Sequence, residues 1–94
     1  MRIEWLHQAL DDFYEIVDYI AEDNPLAAVE QGDEIDSQVS GLLDNLHQGR
    51  PGRVKGTREL VIVRTPYVVA YRITKEAIQI LRVFHGARLW PERF

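Results

Sequence analysis

The apolar residues change their period near position 50. Before it, Leu6, Leu10, Phe13, Val17 and Ile20 recur at spacings of four and three. Ala9 and Ile16 widen that stripe, while Asp11, Asp12, Glu15, Asp18 and Glu22 lie mostly off it. One apolar face at this period predicts an amphipathic helix. Asn24 then precedes Pro25, a position biased away from helical backbone. Asp23 or Asn24 can cap a second helix that opens on Pro25. Ala28, Gly32, Ile35, Val39, Leu42 and Leu46 repeat at fours and threes, broadened by Val29 and Leu43, and Gly49 supplies a stop. A helical glycine costs about 1 kcal/mol against alanine. At Gly32, on the apolar stripe, close approach of the first helix accounts for it. The short connection and facing stripes predict an antiparallel helical hairpin.

Ahead of the hairpin, Arg2 to Leu6 alternates, with Ile3 and Trp5 on one side, and predicts a short strand. His47 to Thr57 is rich in glycine and basic residues and reads as a loop. Residues 58–64, 67–74 and 77–85 are dense in β-branched and aromatic side chains and predict three strands. Thr65-Pro66 and Thr74-Lys75-Glu76 separate them, short enough for antiparallel hairpins. The predicted fold is α+β, a single domain over residues 1–94: an N-terminal strand, an antiparallel helical hairpin, then three antiparallel strands. The helices pack on one face of the sheet, and the other face is at least partly open. Simple alternation puts Val68, Ala70 and Arg72 opposite Tyr67, Val69, Tyr71 and Ile73. On the last strand it groups Ile78, Ile80, Arg82 and Phe84 against Gln79, Leu81, Val83 and His85.

Charge adds a polarity that periodicity does not show. Residues 1–49 hold one basic and twelve acidic residues, a balance of −11. Residues 50–94 hold ten basic and three acidic residues, a balance of +7, which leaves −4 for the chain. Such asymmetry suits a polyanion or an acidic partner at the basic half, or offsetting within the fold. The overall acidity weakens the case for tight non-specific binding of nucleic acid. There is no cysteine, so no disulfide and no thiolate chemistry. The N-terminal sequence lacks the apolar core of a signal peptide, and no apolar run approaches a membrane span. The expectation is a cytoplasmic protein without a membrane partner.

The candidate chemistry gathers late in the chain. Arg58, Arg64, Arg72, Arg82 and Arg88 are candidates to converge near one region of the sheet, with His85 at the end of the last strand. Three roles are open to such a cluster. It could hold RNA phosphates, with His85 as general acid or base. It could grip an acidic protein surface. It could pair with the acidic helices. Arg50, Arg53 and Lys55 form a loop patch, and Trp90-Pro91 reads as a hydrophobic clasp for the C-terminal segment. No metal-ligand spacing or nucleophilic triad is present. RPGRVKG has no strand-to-helix context and fails as a phosphate loop. No metal and no cofactor are expected.

RIEW, DYIAEDNP, GRVKGTREL, TPYVVAYRI and ILRVFHGARLWP together resemble the RelE/ParE superfamily of toxins from bacterial type II toxin–antitoxin modules, over nearly the full chain. The resemblance implies two helices against an antiparallel sheet and a cognate antitoxin whose tail wraps the toxin. Operator DNA is then met only through the antitoxin. RelE-like members cut mRNA on the ribosome; ParE-like members poison DNA gyrase. By this resemblance Arg72, Arg82 and His85 are the catalytic candidates if the protein is an endoribonuclease. Arg53, Lys55, Arg58, Arg64, Arg88 and Trp90 are candidate contacts to target or antitoxin. Three departures favour a ParE-like, gyrase-directed toxin. Lys55 is the only lysine ahead of the second of the three strands, Trp90 stands where a terminal tyrosine is usual, and the chain is acidic. mRNA cleavage is the alternative, and a non-toxic binding partner in a repressor complex is the third.

Overall fold

A computed structural model of the chain describes residues 1–87. Strand β1 (Arg2–Trp5) runs directly into helix α1 (His7–Asp23). Leu6 N–H still donates to Ile80 C=O at 3.0 Å, as a strand residue would, while Leu6 C=O already accepts from Leu10 N–H. One residue joins α1 to helix α2 (Pro25–Ser40). Asn24 N–H donates to Ile20 C=O and ends α1, and its Oδ1 accepts from Ala27 N–H at 3.0 Å and caps α2. Of the two expected caps Asn24 is the one used, and Pro25 sits where its missing N–H costs nothing.

Helix α2 stops earlier than its apolar stripe predicts. It ends at Ser40, and a 3-10 turn (Gly41–Leu43) follows. Leu42 is fully buried, so the apolar period continues through the tighter winding. Gly41, a weak helix former, marks the break; Gly49 lies farther on, in the loop. At Gly32 a methyl group would meet Val17 and Phe13 at 3.5–3.6 Å, ordinary contact. The helices approach there without excluding a small side chain.

The sheet has five strands in the order β1-β5-β4-β3-β2. β3 (Arg58–Val61), β4 (Tyr67–Ile73) and β5 (Ala77–His85) form the expected antiparallel meander. β1 lies parallel to β5, which the long crossover through both helices permits. The expected loop contains a short edge strand, β2 (Arg50–Pro51), paired with β3. Two residues, one a proline, leave no alternating pattern to read, and proline is tolerated in a sheet mainly at such edges.

The core lies between the hairpin and one sheet face. Ala9, Ile35, Val39 and Leu42 meet Leu60, Val69, Tyr71, Ile78, Ile80 and Val83. Here the alternation expected for the last strand is corrected. Tyr71 pairs with Ile80 but Ala70 pairs with Arg82, so Leu81 is an extra residue, a β-bulge. A one-residue insertion exchanges the faces beyond it. Val83 and His85 therefore join Ile78 and Ile80 on the helix side, while Arg82 and Phe84 pass to the other register. On the opposite face Val68 and Ala70 are buried and Arg72 is exposed. No helix among the described residues is long and apolar enough to cross a membrane.

Candidate functional site

Of the five arginines expected to converge, four lie among the described residues, and each reaches a different partner. Arg88 and Trp90 lie outside the described residues, as does the expected clasp at Trp90-Pro91.

Arg82 turns toward α1. Its Nε and Nη2 donate to Asp12 at 2.7 and 3.0 Å, a two-pronged pair that is largely buried. β1 ends before it can cover β5 beyond Ile80, which leaves Val83 N–H facing outward. Asp12 accepts that N–H as well, at 3.0 Å. The bond to Asp12 raises the Arg82 pKa above its ordinary value against the opposing effect of burial. This guanidinium stays charged and engaged.

Arg64 occupies the β3–β4 turn with φ of 70°, a left-handed backbone that few non-glycine residues adopt. Both prongs of its guanidinium reach the Glu34 carboxylate on α2. One helical turn on, the Gln38 amide brackets Val63, donating to its C=O at 3.0 Å and accepting its N–H at 2.8 Å. The i, i+4 spacing of Glu34 and Gln38 thus ties the turn to α2. The Arg64 bond holds the Glu34 pKa below its ordinary value of 4.5. A depressed carboxylate pKa adds stability that is present above 4.5 and lost as pH falls through the native value. The stability difference between the wild type and Glu34→Gln should therefore shrink as melts move from pH 6 toward acid. An unchanged difference would rule out the ionised pair as its source.

Arg58 is folded onto the loop, donating through Nε to Gly49 C=O at 2.8 Å and through Nη2 to His47 C=O at 3.2 Å. Beside it the buried Tyr71 hydroxyl donates to Leu46 C=O and accepts from Gly49 N–H. Arg72 lies on the face away from the helices, within a polar row across three strands. Its Nε donates to Gln79 Oε1, Gln79 Nε2 donates to Glu4 Oε1 (both 2.6 Å), and Arg2 pairs with the other Glu4 oxygen.

The loop patch is held by a buried carboxylate. Glu59, only 2% exposed, accepts from Arg50 Nη2 at 3.0 Å and from Arg53 N–H at 3.1 Å. Gly52 N–H to Thr57 C=O and Thr57 Oγ1 to Val54 C=O close the tip. The loop is internally bonded and presents Arg50, Arg53 and Lys55 at the surface.

His85 stands in a cleft of about 600 Å³ with Asp12, Glu15, Tyr19, Gln31 and Tyr67. The Tyr67 ring meets the imidazole edge-on at 5.7 Å. Ala87 N–H donates to Nδ1 at 3.1 Å, so in the neutral ring Nε2 carries the proton. Glu15 lines the cleft beside Asp12, whose carboxylate is taken up by Arg82 and Val83 N–H, and among the described residues Gln31 Oε1 is a buried acceptor with no hydrogen-bond partner. Asp12, Glu34, Glu59 and Tyr71 are the residues that sequence reasoning did not single out. Their partners lie 6 to 71 positions away along the chain, and no local motif announces them.

The architecture is thus a helical hairpin packed on one face of a five-stranded sheet, with a basic loop at the sheet edge. Residues 3–90 match the family model described as the ParE toxin of the type II toxin–antitoxin system parDE. The chain belongs to that family. It is 42% identical over 91 residues to Y4kP of Sinorhizobium fredii, a protein named as a candidate toxin, covering 97% of this chain and 94% of the relative. It is 34% identical over 88 residues to toxin RelE2 of Caulobacter vibrioides, covering 94% and 98%. A solved chain from the chromosomal ParDE toxin–antitoxin system of P. aeruginosa superposes with a TM-score of 0.84 at 32% identity, covering 90% of this chain and 95% of that one. The fold and family expectations are thus met.

Proposed function

We propose that this toxin arrests growth by acting on DNA gyrase rather than by cutting mRNA, and that a cognate antitoxin neutralises it. The observation that carries this reading is the use of the arginines. A nuclease needs cations converging on a phosphate and a group to move a proton. Arg82 and Arg64 are committed to carboxylates, Arg58 to loop carbonyls, and His85 stands beside Asp12 and Glu15. Poisoning by contact requires none of that chemistry. Arg50, Arg53 and Lys55, with Arg72 on the open face, supply the contacts to target or antitoxin. The partner follows from membership in a two-component module and from the ParDE relative.

Inducing the chain without a partner should stop bacterial growth. The purified protein should then inhibit gyrase supercoiling while leaving ribosome-bound mRNA intact. Ribosome-dependent cleavage with unaffected gyrase would reverse the assignment. Folded, well-expressed protein that leaves growth unchanged would favour the repressor-partner role. His85→Gln separates the mechanisms residue by residue. General acid–base groups contribute about 10²–10⁴-fold, so a nuclease would lose nearly all toxicity. Here toxicity should survive within a few-fold, provided that melts confirm the fold.

A further inference from the structure

Opposite charges gather at opposite ends of the sheet. The strand register brings loop 52–57, the β4–β5 turn (residues 74–76) and the start of β1 to one end. Pro51 faces Arg58, Arg58 faces Tyr71, Arg72 faces Gln79, and Arg2 faces Ala77. Residues 2–4, 50–59 and 72–79 hold seven basic and three acidic residues, a balance of +4. From Gln79, β5 carries the chain about 20 Å to His85. Tyr19 of α1 stands beside His85, so the hairpin tip, with Asp18, Glu22 and Asp23, belongs to the far end.

The basic end presents its cations on an ordered frame. Arg53, Lys55, Arg72 and Lys75 are exposed. Two of the three carboxylates are already engaged within this end, Glu59 by Arg50 and Glu4 by Arg2. Arg72 meets the neutral Gln79 amide, which leaves its charge uncancelled. Gly52 N–H donates to Thr57 C=O at 2.8 Å, Thr57 N–H donates to Val54 C=O at 3.1 Å, and Gly56 turns the loop with φ of 83°. A loop ordered in advance gives up little freedom on binding.

The chemistry of this face identifies its ligand. The loop and the turn expose one large apolar side chain between them, Val54. A protein partner wants an apolar centre to its interface; phosphates want only cations. No Phe, Tyr or Trp lies among residues 47–58, so the loop offers no platform on which the bases of a single strand would stack. The face crosses five strands, four spacings or about 19 Å. Over that length one strand of a duplex presents about five or six phosphates, spaced about 3.4 Å along the axis. The acidic tip lies about two Debye lengths away at 0.1 M salt, so it opposes the contact less than the net charge of the chain suggests.

We propose that this end of the sheet docks on the phosphate backbone of duplex DNA, reading no base sequence, with the acidic hairpin tip turned away. The inference deepens the gyrase reading and rests on it for the setting of the contact, the DNA that gyrase holds.

The test uses the full chain and a short labelled duplex, read by fluorescence anisotropy without gyrase. Binding should be saturable at low salt. The logarithm of affinity should fall against that of salt with a slope of about −3 to −4, as expected for about four neutralised phosphates. Arg53→Gln/Lys55→Gln/Lys75→Gln should weaken binding at least about tenfold and flatten the slope by about two to three. Asp18→Asn/Glu22→Asn, at the far end, should change affinity less than about threefold. All five positions are exposed, and melts confirm folding. No binding at low salt, a slope that the triple variant leaves unmoved, or tighter binding of single-stranded DNA or of a polyglutamate peptide would each overturn the proposal. Supercoiling assays separate this contact from the gyrase reading. If gyrase is inhibited equally by the wild type and the triple variant, the DNA contact falls and the gyrase reading stands. If the duplex binds as described while supercoiling is untouched, the DNA face stands and the gyrase reading falls.

Discussion

Asp12→Ala should destabilise the fold by about 2–4 kcal/mol, close to what breaking a buried ion pair costs elsewhere. For a domain of this size that is a fall in melting temperature of roughly 10 °C or more. The carboxylate accepts three N–H groups, two from Arg82 and one from Val83. Alanine takes the two-pronged carboxylate partner from a largely buried guanidinium and the acceptor from Val83 N–H on the edge of β5. The cost is mainly that of the orphaned groups rather than of the lost attraction. Asp12→Asn keeps one acceptor and should fall between alanine and the wild type. Arg82→Met removes the cation but leaves the more buried Asp12 carboxylate with Val83 N–H, so it should destabilise as well. Thermal or urea melts of the three variants decide the order. If Asp12→Ala melts with the wild type, the pair contributes nothing and Arg82 becomes available for another role. The same measurements govern any toxicity assay at Arg82, because loss of fold and loss of target contact look alike in growth.

The helices were legible because their stripes are long and regular. The joint was legible because Asn24-Pro25 combines a cap with a residue that cannot continue α1. The three meander strands followed from β-branched density and short turns. The bulge at Leu81 was not legible: Ile78, Ile80, Leu81, Val83 and Phe84 put apolar residues on both faces, so a slipped register leaves no mark. The edge strand β2 is too short for a period, and the early end of α2 was masked because Leu42 and Leu46 continue the stripe. The arginine partners escaped for a different reason. Asp12 and Arg82 are 70 positions apart, and only the placement of α1 beside β5 joins them. One trace of this was visible in the charge of the two halves. The reading in which arginines pair the acidic helices is realised at Arg64 with Glu34 and at Arg82 with Asp12. Family resemblance reached the fold and the toxin class.

A close-packing constraint with no yielding neighbour lies where the basic loop leaves the helical half. Gly49→Ala should destabilise by about 1–3 kcal/mol, at the upper end of that range, because there is no room for a methyl group. A Cβ there would stand 2.7 Å from the Tyr71 ring and 2.8 Å from the Glu59 backbone oxygen. Neither can retreat easily. The ring is fixed by two hydrogen bonds of its hydroxyl, and the oxygen belongs to β3, held between β2 and β4. Both backbone groups of Gly49 are also in use, its N–H donating to Tyr71 and its C=O accepting from Arg58. Displacing the glycine therefore releases the loop and the Arg58 bond together. Tyr71→Phe tests the same joint from the other side. It keeps the ring but strands a buried N–H and C=O, at a cost of about 1–3 kcal/mol. Because the two residues touch, their effects should fall short of additive in the double variant. Hydrogen exchange should quicken at residues 46–49 in both single variants while the β4–β5 amides stay protected. Should Gly49→Ala melt like the wild type with exchange unchanged, the loop is not held by this joint. The positions of Arg50, Arg53 and Lys55 would then have to be set by the bonds to Glu59 alone.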